Sequence, residues 1–472
     1  MMSHAVLAAA LEREPAFAGT SAAWTSGEPI VRRARELVAA GRWAQAEQLV
    51  GASRVPSAVE MGEIISRLRW EYGLDEAGLL EKVRKGIADV TAGDLRRWRE
   101  DGGLQWRMID GRIGYFRREP GNLYRFCAEA RRRRKEDAKT EKGFLTEKHL
   151  AEVIAAAESS AKSDVLPIRH RVRYSVTVPG DHAAMKVGAV VRCWLPFSQE
   201  HARQRDVRLV RSYPEKCVAA KAGMGHRSVY LEQRVEEVGK PMLFKVEFEY
   251  TSAAYYPVLR DGEAKALSGS YDGGYLSERP PHIAFSAELK ETVAKVVGGQ
   301  TNPLVKARRI FEFVHSEIAY CAEEEYCLIP SFSEKALRTR RGDCGIQSML
   351  FITMCRAAGI PSRWQSGWET RPGLVNMHDW AEFYVEPWGW LPADPSYGLR
   401  ESGDPKVRYF YFGHQDSYRM IVNLDYGAPL VPAKRALRSE PADFQRGEVE
   451  IDGRNLYFNE WQWEMDVEYG AK

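Results

Sequence analysis

The chain has 472 residues, more than one hydrophobic core ordinarily serves, so roughly two to four domains are expected. An apolar fraction of 44%, with 13 Trp and 21 Tyr, excludes a mainly disordered chain. The net charge of +3, from 68 basic and 65 acidic residues, is too nearly balanced to imply nucleic-acid binding by itself. The seven cysteines (127, 193, 217, 321, 327, 344 and 355) contain no CxxC pair, which argues against a standard zinc site and for reduced thiols. The opening stretch MMSHAVLAAALEREPAFAG is broken by Glu12, Arg13 and Glu14 and reads poorly as a signal peptide. No window approaches the roughly 18 uninterrupted apolar residues of a membrane span. The expectation is a soluble chain, cytoplasmic by default, with an extracytoplasmic setting as the alternative.

Residues 1–130 are expected to form a helical domain, because apolar residues recur at three and four in IVRRARELVAAGRWAQAEQLV, VEMGEIISRLRWEY and LDEAGLLEKVRKGI. Thr91 precedes Gly93-Asp94-Leu95 as a capped helix start. WRMIDGRIGYFRR places Asp110-Gly111 between two short alternating runs, the pattern of a tight hairpin. Helices followed by a hairpin, with RRRRK at 131–135, leave a DNA-contacting module open. The acidic residues that follow dilute that patch, so a solvated helix face is preferred and nucleic acid is disfavoured as a partner. Residues 131–165, charged and alanine-rich, read as a solvent-facing helical connector whose loss separates domains without destroying chemistry.

After Leu166 the period becomes two, in RHRVRYSVTV, AVVRCWLPF, VRLVRSY, RSVYLEQRV and LFKVEFEY, so a small antiparallel β-sandwich is expected over 166–260. Two helices follow, SAELKETVAKVVG and PLVKARRIFEFVHSEIAY, with Pro303 at the start of the second, where its missing N–H costs nothing. A core over 275–425 and a C-terminal β extension over 426–472 complete the expected organisation.

Three residues in the core carry chemistry. In RRGDCGIQSMLFITMCRAAGIP, Ile346, Met349, Leu350, Met354 and Ala357 share one helical stripe that Gly359 and Pro361 end. Cys344 therefore stands at a helix N-terminus, where free amides and the helix dipole favour thiolate and can hold an oxyanion. Alternation in HDWAEFYV puts His378, Trp380, Glu382 and Tyr384 on one strand face. A hairpin turning near residue 386, midway between His378 and Asp394, brings those two residues together. Asp394 would then fix the imidazole tautomer while the other ring nitrogen faces sulfur. A metal site fits poorly, since Cys321 and Cys327 are too far apart in sequence and no second His stands at ligand spacing to His378.

At these residues the chain resembles the transglutaminase-like superfamily of cysteine enzymes. The resemblance rests on KARRIFEFVHSEIAY, RRGDCGIQSMLFITMCRAAGIPSRWQSGW and HDWAEFYVEPWGWLPADPSYG, over roughly residues 285–400. It implies an α+β fold with a papain-like core, Cys344 as nucleophile, His378 as general acid/base and Asp394 as its orienter. Tyr320 is a candidate for the family's oxyanion partner. Trp364, Trp368, Trp380 and Trp390 are candidates to line an aromatic cleft for a peptide. Calcium is not carried over, and no metal or cofactor is expected. The tail runs YFGHQDSYRMIVNLDYG and DFQRGEVE look like an extension found in bacterial members, without assignable chemistry.

The expected function is cysteine-dependent acyl transfer on a peptide, protein or amide substrate. Hydrolysis is favoured over glutamine-lysine cross-linking, because no second-substrate motif is evident. A non-catalytic scaffold with DNA contact through the N-terminal helices is the alternative of a different class.

Overall fold

The computed structural model describes residues 21–135, 146–267 and 274–470. They divide into two compact units, one of Thr20–Lys142 with Cys321–Pro330, the other of Gly143–Tyr320 with Ser331–Lys472.

In the first unit, helices Pro29–Ala39, Trp43–Gly51 and Pro56–Glu71 bury Val31, Leu37, Trp43, Ile64, Ile65 and Leu68 in one core. Glu76–Arg84 and Ala92–Glu100 build a second core around Leu79, Leu95 and Trp98. The Thr91 cap is reciprocal: Thr91 Oγ1 accepts from Asp94 N at 3.2 Å, and Asp94 Oδ2 accepts from Thr91 N at 2.9 Å. The expected hairpin is Trp106–Ile109 paired with Arg112–Tyr115, with φ of 48° at Asp110 and 81° at Gly111. Within 131–135, Arg133 is engaged by Asp89, Asp94 and Glu129, and Arg131 by the carbonyls of Tyr124 and Arg125. The basic run is thus partly spent inside its own unit. The segment Cys321–Pro330 belongs to this unit as well. Arg67 clasps Glu325, Arg107 donates to Glu324 Oε1 at 2.8 Å, and Trp24 donates to Cys327 O at 2.9 Å.

The second unit is built on three larger sheets and a two-stranded parallel ladder among the described residues. We number its principal strands β1 (Asp164–Val178), β2 (Val190–Pro196), β3 (Gln204–Tyr213), β4 (Cys217–Ala219), β5 (Ser228–Arg234), β6 (Met242–Tyr255), β7 (Ser362–Arg371), β8 (Leu374–Val385), β9 (Gly389–Ala393), β10 (Arg419–Asn423), β11 (Glu448–Ile451), β12 (Arg454–Leu456) and β13 (Gln462–Gly470). Alternation along β1 turns His170, Val172, Tyr174, Val176 and Val178 inward, as a sheet with one packed face requires. The sandwich layers run β12-β11-β2-β5-β4 and β13-β1-β6-β3, so the tail strands lie in the same two sheets as residues 164–255. Ahead of β1, helix Thr146–Ser160 buries Leu150, Val153 and Ala157, so this part of the sequence-defined connector is packed on one side, not wholly solvated. Residues 136–145 of that connector lie outside the described residues.

The third sheet is antiparallel, in the order β9-β8-β7-β10. Helices α1 (Ala287–Val297), α2 (Pro303–Glu317), α3 (Phe332–Thr339) and α4 (Cys344–Ala357) accompany it. Phe351 of α4 meets Phe383 of β8 edge-on at 5.9 Å. This mixed helix and antiparallel-sheet core is the α+β architecture that the resemblance implied. Among the described residues, no helix is long and apolar enough to cross a membrane.

Candidate active site

Helix α4 starts at Cys344 because Asp343 caps it, accepting from Ile346 N at 3.3 Å. A Cβ on Gly342 would collide with the Ile346 side chain, so the tight approach ahead of the cap needs glycine. Every residue from Cys344 to Arg356 is buried, so the sequence stripe marks only one of several packed faces. Gln347 Nε2 donates to Ile318 O at 3.0 Å and to Gly342 O at 3.3 Å, tying the helix start to a short parallel ladder in which Gly342 stands opposite Tyr320.

The Cys344 thiol donates to Asp379 Oδ2 at 3.4 Å. Burial pushes this thiol well above its ordinary range, and the Asp379 and Asp343 charges add to the effect. Helix position alone favours thiolate; here desolvation and two neighbouring carboxylates oppose the dipole and keep the proton on sulfur. Asp379 Oδ1 accepts from Gln445 Nε2 at 2.6 Å, and the same amide donates to His378 O at 2.9 Å.

The other half of the site is braced by a cation. His378 Nε2 lies 2.6 Å from Asp394 Oδ2, and Arg419 Nη2 lies 2.9 Å from that oxygen. Asp394 Oδ1 accepts from Ser396 Oγ at 2.8 Å and Tyr397 N at 3.1 Å, so all of its strong acceptor directions are used. Burial alone would raise the Asp394 carboxyl, but His378 and Arg419 outweigh it and hold it well below the usual carboxylate range. Arg419 is itself buried, 3.4 Å from Asp416, with the rings of Tyr397, Tyr411 and Trp380 around its guanidinium. The His378 ring is further fixed by Tyr397, edge-on at 5.1 Å, and by Trp380 at 5.9 Å.

The structure therefore brings His378 and Asp394 into contact and places Cys344 against the residue next to His378. The ladder puts Tyr320 opposite Gly342, two residues ahead of Cys344, and leaves Tyr320 42% exposed. Trp364, Trp368 and Trp380 are buried and present no ring to solvent. Trp368 donates to Gln445 O at 2.9 Å and packs on Tyr174 and Trp463; Trp380 donates to Gln365 Oε1 at 2.8 Å. Three residues escaped sequence reasoning: Asp379, Arg419 and Gln445. Asp379 sits inside the His378 motif, and the other two lie in the tail runs to which no chemistry was assigned.

Residues 290–395 match the model of the transglutaminase-like superfamily. An uncharacterized protein of Haemophilus influenzae is 24% identical over 232 residues, 42% of this chain and 61% of that protein. The peptide-N(4)-(N-acetyl-beta-glucosaminyl)asparagine amidase of Gallus gallus is 35% identical over 80 residues, 16% of this chain and 11% of that enzyme. The chain thus spans less than two thirds of the length of these curated relatives. Among solved structures, a candidate cysteine protease from Cytophaga hutchinsonii aligns over 65% of this chain and 91% of its own, with a TM-score of 0.44 and 14% identity. The segment that holds Cys344, His378 and Asp394 is therefore transglutaminase-like, as the three sequence motifs indicated.

Proposed function

We propose that the protein is a cysteine-dependent acyl-transfer enzyme that hydrolyses a peptide or amide bond, with Cys344 as nucleophile, His378 as general acid/base and Asp394 as the carboxylate that orients the imidazole. The observation that carries this reading is the buried His378–Asp394 pair at 2.6 Å, locked by Arg419, beside a helix-terminal cysteine whose sulfur reaches the neighbouring residue Asp379. Asp394 occupies Nε2 of the imidazole, which leaves Nδ1 for the nucleophile and then for the leaving amine. Because the thiol is protonated at rest, its proton passes to His378 as sulfur attacks the carbonyl carbon. His378 next protonates the departing amine, and water, deprotonated by His378, cleaves the thioester to release acid and free thiol. Backbone amides at the start of α4, together with Tyr320, are the groups assigned to the oxyanion. Water as acceptor is favoured over a lysine amine because water is always available to resolve the thioester.

The test is acyl-enzyme trapping. Mixed with an activated peptide ester, the intact protein is expected to gain one acyl mass that maps to Cys344 and is missing in Cys344→Ala. Turnover that persists in Cys344→Ala, or an adduct located elsewhere, would sink the nucleophile assignment. Repeating the reaction with excess primary amine then separates hydrolysis from transamidation, through the ratio of free acid to new amide.

A further inference from the structure

Within the larger unit, the sheet face that carries Glu382 opens into a cavity of about 800 Å³. That volume suits a small organic ligand. Neither Cys344, His378 nor Asp394 lines it. Glu382 lies four residues along β8 from His378, about 13 Å of extended chain, and Trp380, only 2% exposed, fills the same strand face between them. The cavity is thus no continuation of the candidate catalytic site.

Its floor holds more positive charge than it neutralises. Arg203 and Arg363 share the single carboxylate of Glu382, Arg203 through Nη2 to Oε1 and Arg363 through Nε to Oε2 at 2.7 Å. Arg203 is 4% exposed, and its Nε–H is buried without an acceptor. Buried donors in native proteins rarely go unpaired, and such exceptions point to a missing partner. Two other carboxylates line the cavity. Asp425 is taken by Arg279 at 2.9 and 3.0 Å, and Asp164, on the exposed rim, interacts with Arg203 and Arg205 and offsets only part of the floor charge. The two arginine charges also help burial push His201 down to about 3, so that lining imidazole is neutral.

The walls are aromatic. The Arg363 guanidinium lies 4.1 Å from the Trp390 ring centre, and Arg203 lies 5.1 Å from that of Tyr255. Tyr275 and Tyr384 each meet Trp390 edge-on at 5.5 Å, and Trp388, anchored to Val258 O at 3.2 Å, adds another indole. Flat rings above a guanidinium floor select a ligand that is planar and carries a carboxylate, because Arg pairs with carboxylates in a fork and stacks on aromatic faces.

We propose that this cavity is a second binding site, separate from the candidate catalytic residues, for a small aromatic carboxylate whose ring lies among Trp390, Tyr275 and Trp388 and whose anionic group pairs with the Arg203–Arg363 guanidinium floor.

Isothermal titration with indole-3-acetate and its neutral partner indole-3-acetamide tests the site. Wild type is expected to bind the acetate saturably, with Kd below about 1 mM, and the acetamide at least about tenfold more weakly, since only the acetate offers a charge-assisted acceptor. Arg363→Met should bring acetate binding down to the acetamide level. Trp388→Ala, which leaves the Arg203–Glu382–Arg363 group intact, should weaken both ligands and serves if Arg363→Met fails to fold. Cys344→Ala should bind as wild type does. No saturable heat with wild type, equal affinity for the two ligands, unchanged acetate affinity in Trp388→Ala, or binding lost in Cys344→Ala would each overturn the proposal.

Discussion

Cys344 and Asp394 are both buried acids at the same candidate site, yet the protein treats them in opposite ways. Asp394 keeps its charge because Arg419 and His378 are built around it; Cys344 keeps its proton because it is buried, and its neighbours Asp379 and Asp343 add to that effect. Burial favours the protonated form of both, and only Asp394 has the partners that reverse it. The lesson is that helix-terminal position is a weak predictor of thiol ionisation once carboxylates stand within hydrogen-bond reach. On the proposed acyl-transfer reading, the proton held on sulfur would pass to the imidazole during attack.

Breaking the nucleophile half altogether has the largest expected effect. Cys344→Ala should lower kcat by on the order of 10⁵-fold or more, read by peptide-amide turnover, with the melting temperature little changed. Arg419→Gln attacks the other half. It leaves Asp394 and Asp416 buried with one cation fewer and should cost ~3–5 kcal/mol of stability, measured by denaturant unfolding, with activity falling in whatever fraction stays folded. An Arg419→Gln protein as stable as wild type would show that the arginine is not what holds Asp394 ionised.

His170 isolates the burial effect without a strong partner. It stacks on Tyr250 at 4.6 Å, and burial pushes its pKa down to about 4. Between pH 6.5 and 4 the unfolded chain takes up a proton at this residue that the folded chain refuses. Its contribution to stability is therefore complete above about pH 6.5 and is lost as the pH falls toward 4, by at most about 3 kcal/mol. His170→Phe, which keeps the stacked ring, should flatten the acid side of the stability profile. The smallest change is Asp379→Asn. Removing that charge should move the pH midpoint of Cys344 alkylation downward and speed reaction with iodoacetamide at neutral pH severalfold, as followed by peptide mapping. An unmoved midpoint would assign the raised thiol to burial alone.

What the sequence revealed of the site followed the distance over which each contact forms. His378 and Asp394 are joined by one hairpin, so their meeting was legible. Only its centre shifted, since Val385 pairs with Gly389 and continuing the Ala381–Ala393 register places Trp380, not His378, opposite Asp394. The start of α4 was legible from Gly342-Asp343-Cys344. The charge state of Cys344 was not, because it depends on how α4 meets β8. Arg419 and Gln445 lie 25 and 51 residues beyond Asp394 and reach the site only through tertiary packing. Nor could alternation announce that β11 pairs with β2, some 250 residues away in sequence. The three tryptophans near the site show the same limit, as sequence proximity to a cleft carries no information about which way an indole points.

The segment Cys321–Pro330 gives the two units an interwoven covalent path. The backbone crosses between them near residue 142, near 320 and again near 330, and the last two crossings fall shortly before α4. Excising residues 20–142 would therefore not release a tidy catalytic piece. It would leave a ten-residue loop bearing Glu323, Glu324 and Glu325 without Arg67, Arg107 or Tyr72, 14 residues upstream of Cys344. The segment Cys321–Pro330 thus has its partners in the helical unit, and the protein should be dissected by point substitution, not by truncation.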